Sequence, residues 1–242
     1  MLIIFWPDYP EGWIPTPRQK HQAFCYDGKV FFFGGVVNQI DESRKGDFIE
    51  IRYPNVRISN HFRFYYTNEL LEYDPKTNRL TRLQIRGDQL TPRIDFAMAV
   101  VGDQVYIHGG WLRQEVLNDF YALNMKTLEL EKIEETGYMG GVFGHNMISI
   151  LNRYILFTGG FNYNDGFLNN VKIFDTKERQ WKEEEPLSPE IGLGLYHHRT
   201  VKFSSTSGDT VLCVGGLVEN YKTVASHMVA IDLVYQSEIE LE

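Results

Sequence analysis

The chain has 242 residues, 43% of them hydrophobic and 14% aromatic, with a formal net charge of −8. That length suits one large domain, and an acidic balance without any block of Lys or Arg argues against a nucleic acid partner. Only two cysteines occur, Cys25 and Cys213; they lack metal-ligand spacing, make no disulfide framework, and read as two small buried hydrophobes in a reducing compartment. Residues 1–6 are apolar but shorter than a signal-peptide core, and no apolar run approaches the ~20 residues needed to cross a bilayer. The expectation is a protein of the cytoplasm or nucleus, without a membrane partner.

In chain order, residues 2–18 read as a strand followed by Thr16-Pro17-Arg18, a pattern that returns over 80–93, where Thr91-Pro92-Arg93 closes it. A first strand over 20–26 turns at Asp27-Gly28, and a second ends in Gly34-Gly35. A loop over 36–67 follows, roughly 25 residues longer than its later counterparts; an insertion of that size in a regular chain predicts a functional or partner-binding segment. A third strand opens at Asn68, ends at Tyr73, and a polar turn over 74–78 leads to a fourth strand with Leu80. The order repeats. The second unit runs from Asp95 through Gly102-Asp103 and Gly109-Gly110 to Asn118, Leu123 and Leu130. The third runs from His145 through Asn152-Arg153 and Gly159-Gly160 to Asn169, Phe174 and Trp181. The fourth runs from His197 through Ser207-Gly208-Asp209 and Gly215-Gly216 to Ile231, and Glu238 breaks its final anchor.

The first glycines lie 75, 50 and 56 residues apart. A unit near 50 residues, carrying four short strands joined by hairpin turns, suits one blade of a propeller. The anchors before and after the third turn are seven apart each time: Tyr73/Leu80, Leu123/Leu130, Phe174/Trp181 and Ile231/Glu238.

This pattern resembles the kelch repeat, with a glycine pair after the second strand and then an aromatic and a Trp around the next turn. Trp is kept only at Trp181. The resemblance covers nearly all of 16–236 and implies an all-β fold: a kelch-type β-propeller with four recognisable blades (18–90, 91–140, 141–190 and 191–242) in a single domain, 1–242. Residues 1–17 are then the outer strand of a preceding or closing blade. Gly34, Gly35, Gly109, Gly110, Gly159, Gly160, Gly215 and Gly216 are expected to be structural, each inner strand ending where a side chain would strike the neighbouring blade. Kelch rings usually have five to seven blades. Four leave a small closed ring, a fragment of a longer protein, or half-rings that associate; the fragment is favoured, and an unclosed ring predicts self-association through its exposed edges.

In kelch rings that bind peptides, contacts come from the residue after Gly-Gly and from the lead-in to the first strand. Here that implies a partner-binding set of Arg18, Asn38, Arg93, Trp111, His145, Phe161, Tyr163, Tyr196 and His197. Arg beside exposed aromatics suits a carboxylate or an extended peptide. The alternative, of equal weight, is that Arg18 and Arg93 make inter-blade hydrogen bonds and the aromatics pack. No catalytic residue, metal or cofactor is expected. Adjacent His197 and His198 would point to opposite faces of a strand, and no zinc-protease, nucleophile-elbow or phosphate-loop motif occurs. Arg86-Gly87-Asp88 spells an adhesion tripeptide, but its position in the repeat is a loop between an outer strand and Thr91. The expected function is a non-enzymatic module that binds a partner peptide or protein through loops on one propeller face, as a ubiquitin-ligase substrate adaptor or a scaffold. The alternative is an enzyme (oxidase, isomerase or lyase) with its site in the channel.

Overall fold

A computed structural model describes residues 16–38, 48–50, 64–134, 140–182, 185–186, 194–205, 208–218, 223–224 and 228–233. Among the described residues every regular element is a strand. Blade one comprises Gln22–Tyr26, Lys29–Phe33, Leu70–Asp74 and Arg79–Leu83, an antiparallel meander in that order. Blade two repeats it with Ala97–Val101, Gln104–His108, Phe120–Asn124 and Glu129–Lys132. Blade three uses Asn146–Ile150, Tyr154–Thr158, Asn170–Asp175 and Gln180–Trp181, and Glu185–Pro186 also pairs with its third strand. Blade four contributes Arg199–Ser205, Gly208–Val214 and Met228–Leu233. Its fourth strand, with Glu238, and the N-terminal strand over 2–15 lie outside the described residues.

The seven-residue anchor spacing is a register. Tyr73 faces Leu80, Leu123 faces Leu130 and Phe174 faces Trp181 as direct cross-strand partners. Directly opposite residues are the unit of sheet stabilisation, so a fixed turn length holds an apolar pair together in blades one, two and three.

Side chains alternate between the two faces of each blade, one toward the preceding blade and one toward the next. In the second strand of blade two, Val105 and Ile107 join Phe31, Phe33 and Leu70 of blade one. Tyr106 of the same strand turns the other way, onto Met147, Ile155, Phe157 and Phe174 of blade three. Blade three then meets blade four through Ile150, Leu156 and Val171 against Val211 and Cys213. Cys213 is therefore a buried hydrophobe, whereas Cys25 is exposed, against the expectation that both are buried. Its strand alternates, and Cys25 falls on the face of blade one that no other blade covers among the described residues.

The glycine pair has two separate steric reasons. A Cβ on Gly109 would lie 2.4 Å from the Val142 carbonyl oxygen, in the lead-in to blade three. A Cβ on Gly110 would lie 2.7 Å from the Ile94 carbonyl oxygen, in the lead-in to its own blade. Both have positive φ, 61° and 102°. Collision with the neighbouring blade thus explains the first glycine, and close approach within the blade explains the second.

The first two residues of the Arg86-Gly87-Asp88 tripeptide form a strand rather than a loop. Arg86–Gly87 pairs in parallel with Glu129 and Leu130, forming a fifth, outermost strand of blade two. The Asp88 carboxylate accepts a hydrogen bond from the Lys132 backbone N–H at 2.7 Å.

The ends of the long 36–67 insertion are ordered into a small sheet, Arg18–Gln19, Val36–Val37, Tyr65–Tyr66 and Ile49–Glu50 in spatial order. Tyr65, Tyr66, Val36 and Val37 are buried there. The polar stretch between these anchors lies outside the described residues.

Candidate functional site

The residues after each glycine pair and the lead-ins to each first strand hydrogen-bond to one another. Val36 pairs with Gln19, Trp111 with Ile94, Phe161 with Phe143, and Leu217 with Tyr196. The residue that follows each lead-in partner is left-handed: Lys20 at φ 58°, Asp95 at 53°, Gly144 at 66° and His197 at 57°. This repeated kink carries the chain from the surface bridge into the first strand. It also links neighbouring units, since Gly144 N–H donates to the Asp95 carbonyl at 2.7 Å and His197 N–H to the Gly144 carbonyl at 2.8 Å.

Only Gly144 in that series has no side chain, and a Cβ there would fall 2.2 Å from the Tyr196 ring. The Asp95 carboxylate takes a Lys20 ammonium at 2.7 Å and the His197 imidazole at 3.1 Å. Burial pushes this carboxyl up, but hydrogen bonds from His197 and Lys20 outweigh it and hold Asp95 below its ordinary range.

Arg18 and Arg93 occupy equivalent places in blades one and two and are committed in equivalent ways. Arg18 donates to Glu69 at 3.1 Å, and Glu69 also receives Arg82 at 3.2 Å. Arg93 is 1% exposed and grips Asp119 with both terminal nitrogens, the second contact at 2.8 Å. It also donates to the carbonyls of Gly109 and Thr91, each at 3.0 Å. Burial raises the Asp119 carboxyl, yet the Arg93 bonds and charge carry it below the ordinary carboxylate value. Sequence reasoning passed over Glu69 and Asp119. The signal was present in the paired motif Asn68-Glu69 and Asn118-Asp119, an acid one residue into each third-strand lead.

The aromatic residues gather at the blade three and four side of this face. Phe143, Phe161, Phe167 and Tyr196 meet edge to face, with centroids 5.3–6.2 Å apart. His197 stacks on Tyr196 at 4.0 Å. Above them, Tyr163 leans on Phe143 and Phe161 while remaining 65% exposed. It sits at the tip of the hairpin Phe161–Asn162 and Gly166–Phe167. There the Asn162 side-chain oxygen accepts the backbone N–H groups of Asn164 and Asp165, so the tip is shaped by an Asx turn. Trp111 is half-buried, with an indole N–H that finds no acceptor among the described residues. Asn38 is exposed. Phe143 and Phe167, absent from the sequence-derived set, belong to the same cluster.

His145 lies away from this surface. It is buried between blades, its Nε2 3.1 Å from Nδ1 of His108. His198 is also buried, 2.8 Å from the Thr158 hydroxyl, while His197 faces out. Burial pushes His108 down to about 3 and His198 to about 4, and holds His145 well below its ordinary value. These rings are neutral packing groups. Among the described residues no three His, Cys, Asp or Glu side chains are grouped to hold a metal ion.

Four-stranded antiparallel meanders, apposed face to face with a glycine pair at each close approach, define a protein of propeller blades with an aromatic patch on one face. The comparison with known families makes this specific: the chain belongs to the kelch-repeat family, its residues 10–216 matching the model of the KLHDC2/KLHL20/DRC7 Kelch-repeats domain. It is similar to the Leucine-zipper-like transcriptional regulator 1 homolog of Drosophila melanogaster, 21% identical across 86% of this chain and 25% of that protein. It is similar also to Kelch domain-containing protein 2 of Bos taurus, 24% identical across 71% of this chain and 42% of the relative. A tRNA wybutosine-synthesizing protein 2/3/4 of Oryza sativa subsp. japonica shares 28% identity over 49% of this chain but only 11% of its own length. The chain thus spans between a quarter and about two fifths of the first two relatives.

Proposed function

We propose that this chain is a non-enzymatic binding module that takes an extended segment of a partner protein across the aromatic face around Tyr163. One observation carries the reading: Tyr163 stands 65% exposed on an edge-to-face cluster, while Arg18 and Arg93, the arginines at the matching lead-ins of blades one and two, are paired with carboxylates of their own blades. Aromatic rings that give area at small entropic cost are the residues around which interfaces concentrate their energy. With Arg18 on Glu69 and Arg93 on Asp119, the face favours aliphatic, aromatic or proline side chains over a free carboxylate. Presentation of the bound segment to other machinery, as a ubiquitin-ligase substrate adaptor or a scaffold in the cytoplasm or nucleus, is the role such a face would serve.

Selection from a displayed library of short random peptides tests this. The expected outcome is enrichment of apolar and aromatic sequences, with Tyr163→Ala weakening the winners about tenfold or more, as for truncated hot spots, and no change in melting temperature. Winners that depend on a free C-terminal carboxylate and on Arg18, with Tyr163→Ala neutral, would overturn the reading. The rival, an enzyme in the channel, draws its support from the name of the wybutosine-synthesising relative.

A further inference from the structure

Three times a ring from the next blade covers the first glycine of a pair. A Cβ on Gly34 would lie 3.1 Å from the Phe96 ring, one on Gly109 3.2 Å from the His145 ring, and one on Gly159 3.1 Å from the His198 ring. The fourth glycine of the series, Gly215, has nothing within 4 Å of that position among the described residues. The fourth ring of the series, His21, leads into blade one, and its buried Nδ1 has no partner among the described residues.

The side chains around these two places are unmatched in the same sense. On blade four, Val201, Leu212 and Ala230 share one face, as do Val214 and Met228, because each set is joined by direct cross-strand pairing. Phe203 is two residues from Val201 and lies on the same side. Phe203 is 62% exposed, Met228 59% and Val201 53%. This is the face by which blades one, two and three each bury their neighbour: Leu212 stands where Tyr106 and Leu156 stand, and those two are buried. On blade one, the residues matching the buried pair Val105 and Ile107 are Val30 and Phe32, and both remain half-exposed.

We propose that the face of blade four left uncovered among the described residues docks on the likewise uncovered face of blade one in a second copy of this chain, head to tail, with His21 of one copy over Gly215 of the other. The two faces are the halves of an interface that the chain already builds three times within itself, and each lacks what the other carries. A contiguous patch of large apolar groups on a soluble surface marks an association site. Unlike residues then meet across the contact, so the association is heterologous.

The test is the solution mass of the 242-residue chain by light scattering over a concentration series, with two variants that damage different faces. Phe203→Glu alters an exposed side chain of blade four, and His21→Glu alters blade one. The expected result is a mass above the 28.2 kDa of one chain that rises with concentration. Each variant weakens association about tenfold or more, as for a central interface truncation, with unchanged circular dichroism. An equimolar mixture of the two regains association, because each variant retains the face that the other has lost. Tyr163→Ala, on the aromatic face, leaves the mass unaltered. A wild-type chain at 28.2 kDa throughout would overturn the proposal. So would association that survives Phe203→Glu, or loss with Phe203→Glu but not with His21→Glu, which would mean that blade four pairs with itself.

Discussion

Gly102 and Gly109 of blade two form a matched pair for measuring what the close blade contact demands. Their φ angles are nearly equal, 58° and 61°, so alanine meets the same left-handed strain at both, about 1 kcal/mol. A Cβ at Gly102 meets open space. At Gly109 it meets the Val142 carbonyl oxygen at 2.4 Å and the His145 ring at 3.2 Å. To reach ordinary contact, the carbonyl must retreat by about 1 Å. That retreat pulls on the Gly110 N–H bond to Val142, 2.8 Å long, which ties blade two to blade three. Overpacking of this kind costs about 1–3 kcal/mol, and a weakened buried hydrogen bond adds about 1. Gly102→Ala should therefore lose about 1 kcal/mol and Gly109→Ala about 3–5, in urea unfolding followed by circular dichroism. Equal losses would refute the argument that the inter-blade approach, and not backbone conformation, is what the first glycine serves.

The buried imidazoles make stability pH-dependent. Since burial depresses His108, His145 and His198, their contribution is fully present above the unfolded value near 6.5 and is lost as pH falls toward the folded values of about 4 for His198 and about 3 for His108. At about 1.4 kcal/mol per unit, His108 and His198 together remove roughly 4 kcal/mol between pH 7 and pH 5, and His145 acts in the same direction. An unchanged urea midpoint over that range would contradict the assignment. Asp119→Ala strands the buried Arg93 guanidinium and should cost about 3–5 kcal/mol, while Arg179→Ala removes an exposed pair with Glu131 and should cost about 0–1. Comparable losses in the two variants, read by thermal melts, would count against the burial argument. Native protein should expose one thiol to an aromatic disulfide reagent, Cys25, with Cys213 reacting only after denaturation. Two fast thiols would contradict the packing of blade four on blade three.

The regular part of this fold was readable because it is written in short-range order. Turn dipeptides, glycine pairs and anchors seven residues apart are set by hairpin geometry, so Tyr73/Leu80 and Phe174/Trp181 emerged as cross-strand partners. The repeated acids Glu69 and Asp119 were visible in the sequence, but their pairing with Arg18 and Arg93 was not. Arg18 and Glu69 are 51 residues apart, and only the closing of the blade brings them together. The aromatic face was half legible: Phe161, Tyr163 and Tyr196 sit at repeat positions, whereas Phe143 and Phe167 join them only through the hairpin and bridge that fold beside them. Cys25 was misplaced because alternation along a strand reveals two faces but not which of them has a neighbour. The long insertion was visible as an excess of length, yet its anchoring through Tyr65 and Tyr66 required the sheet to be seen.

Asp95 has a mechanical consequence. One carboxylate of blade two holds Lys20 of blade one and His197 of blade four, reaching across the bare backbone of Gly144 in blade three. All four units are thus laced at one point near the front surface. Opening the arc there would part the Lys20 ammonium from the Asp95 carboxylate and break the His197 contact to it, so its curvature is held on the side where Tyr163 stands. The spacing between the aromatic hairpins behaves as a fixed ruler, and a segment lying across them must match it rather than mould it.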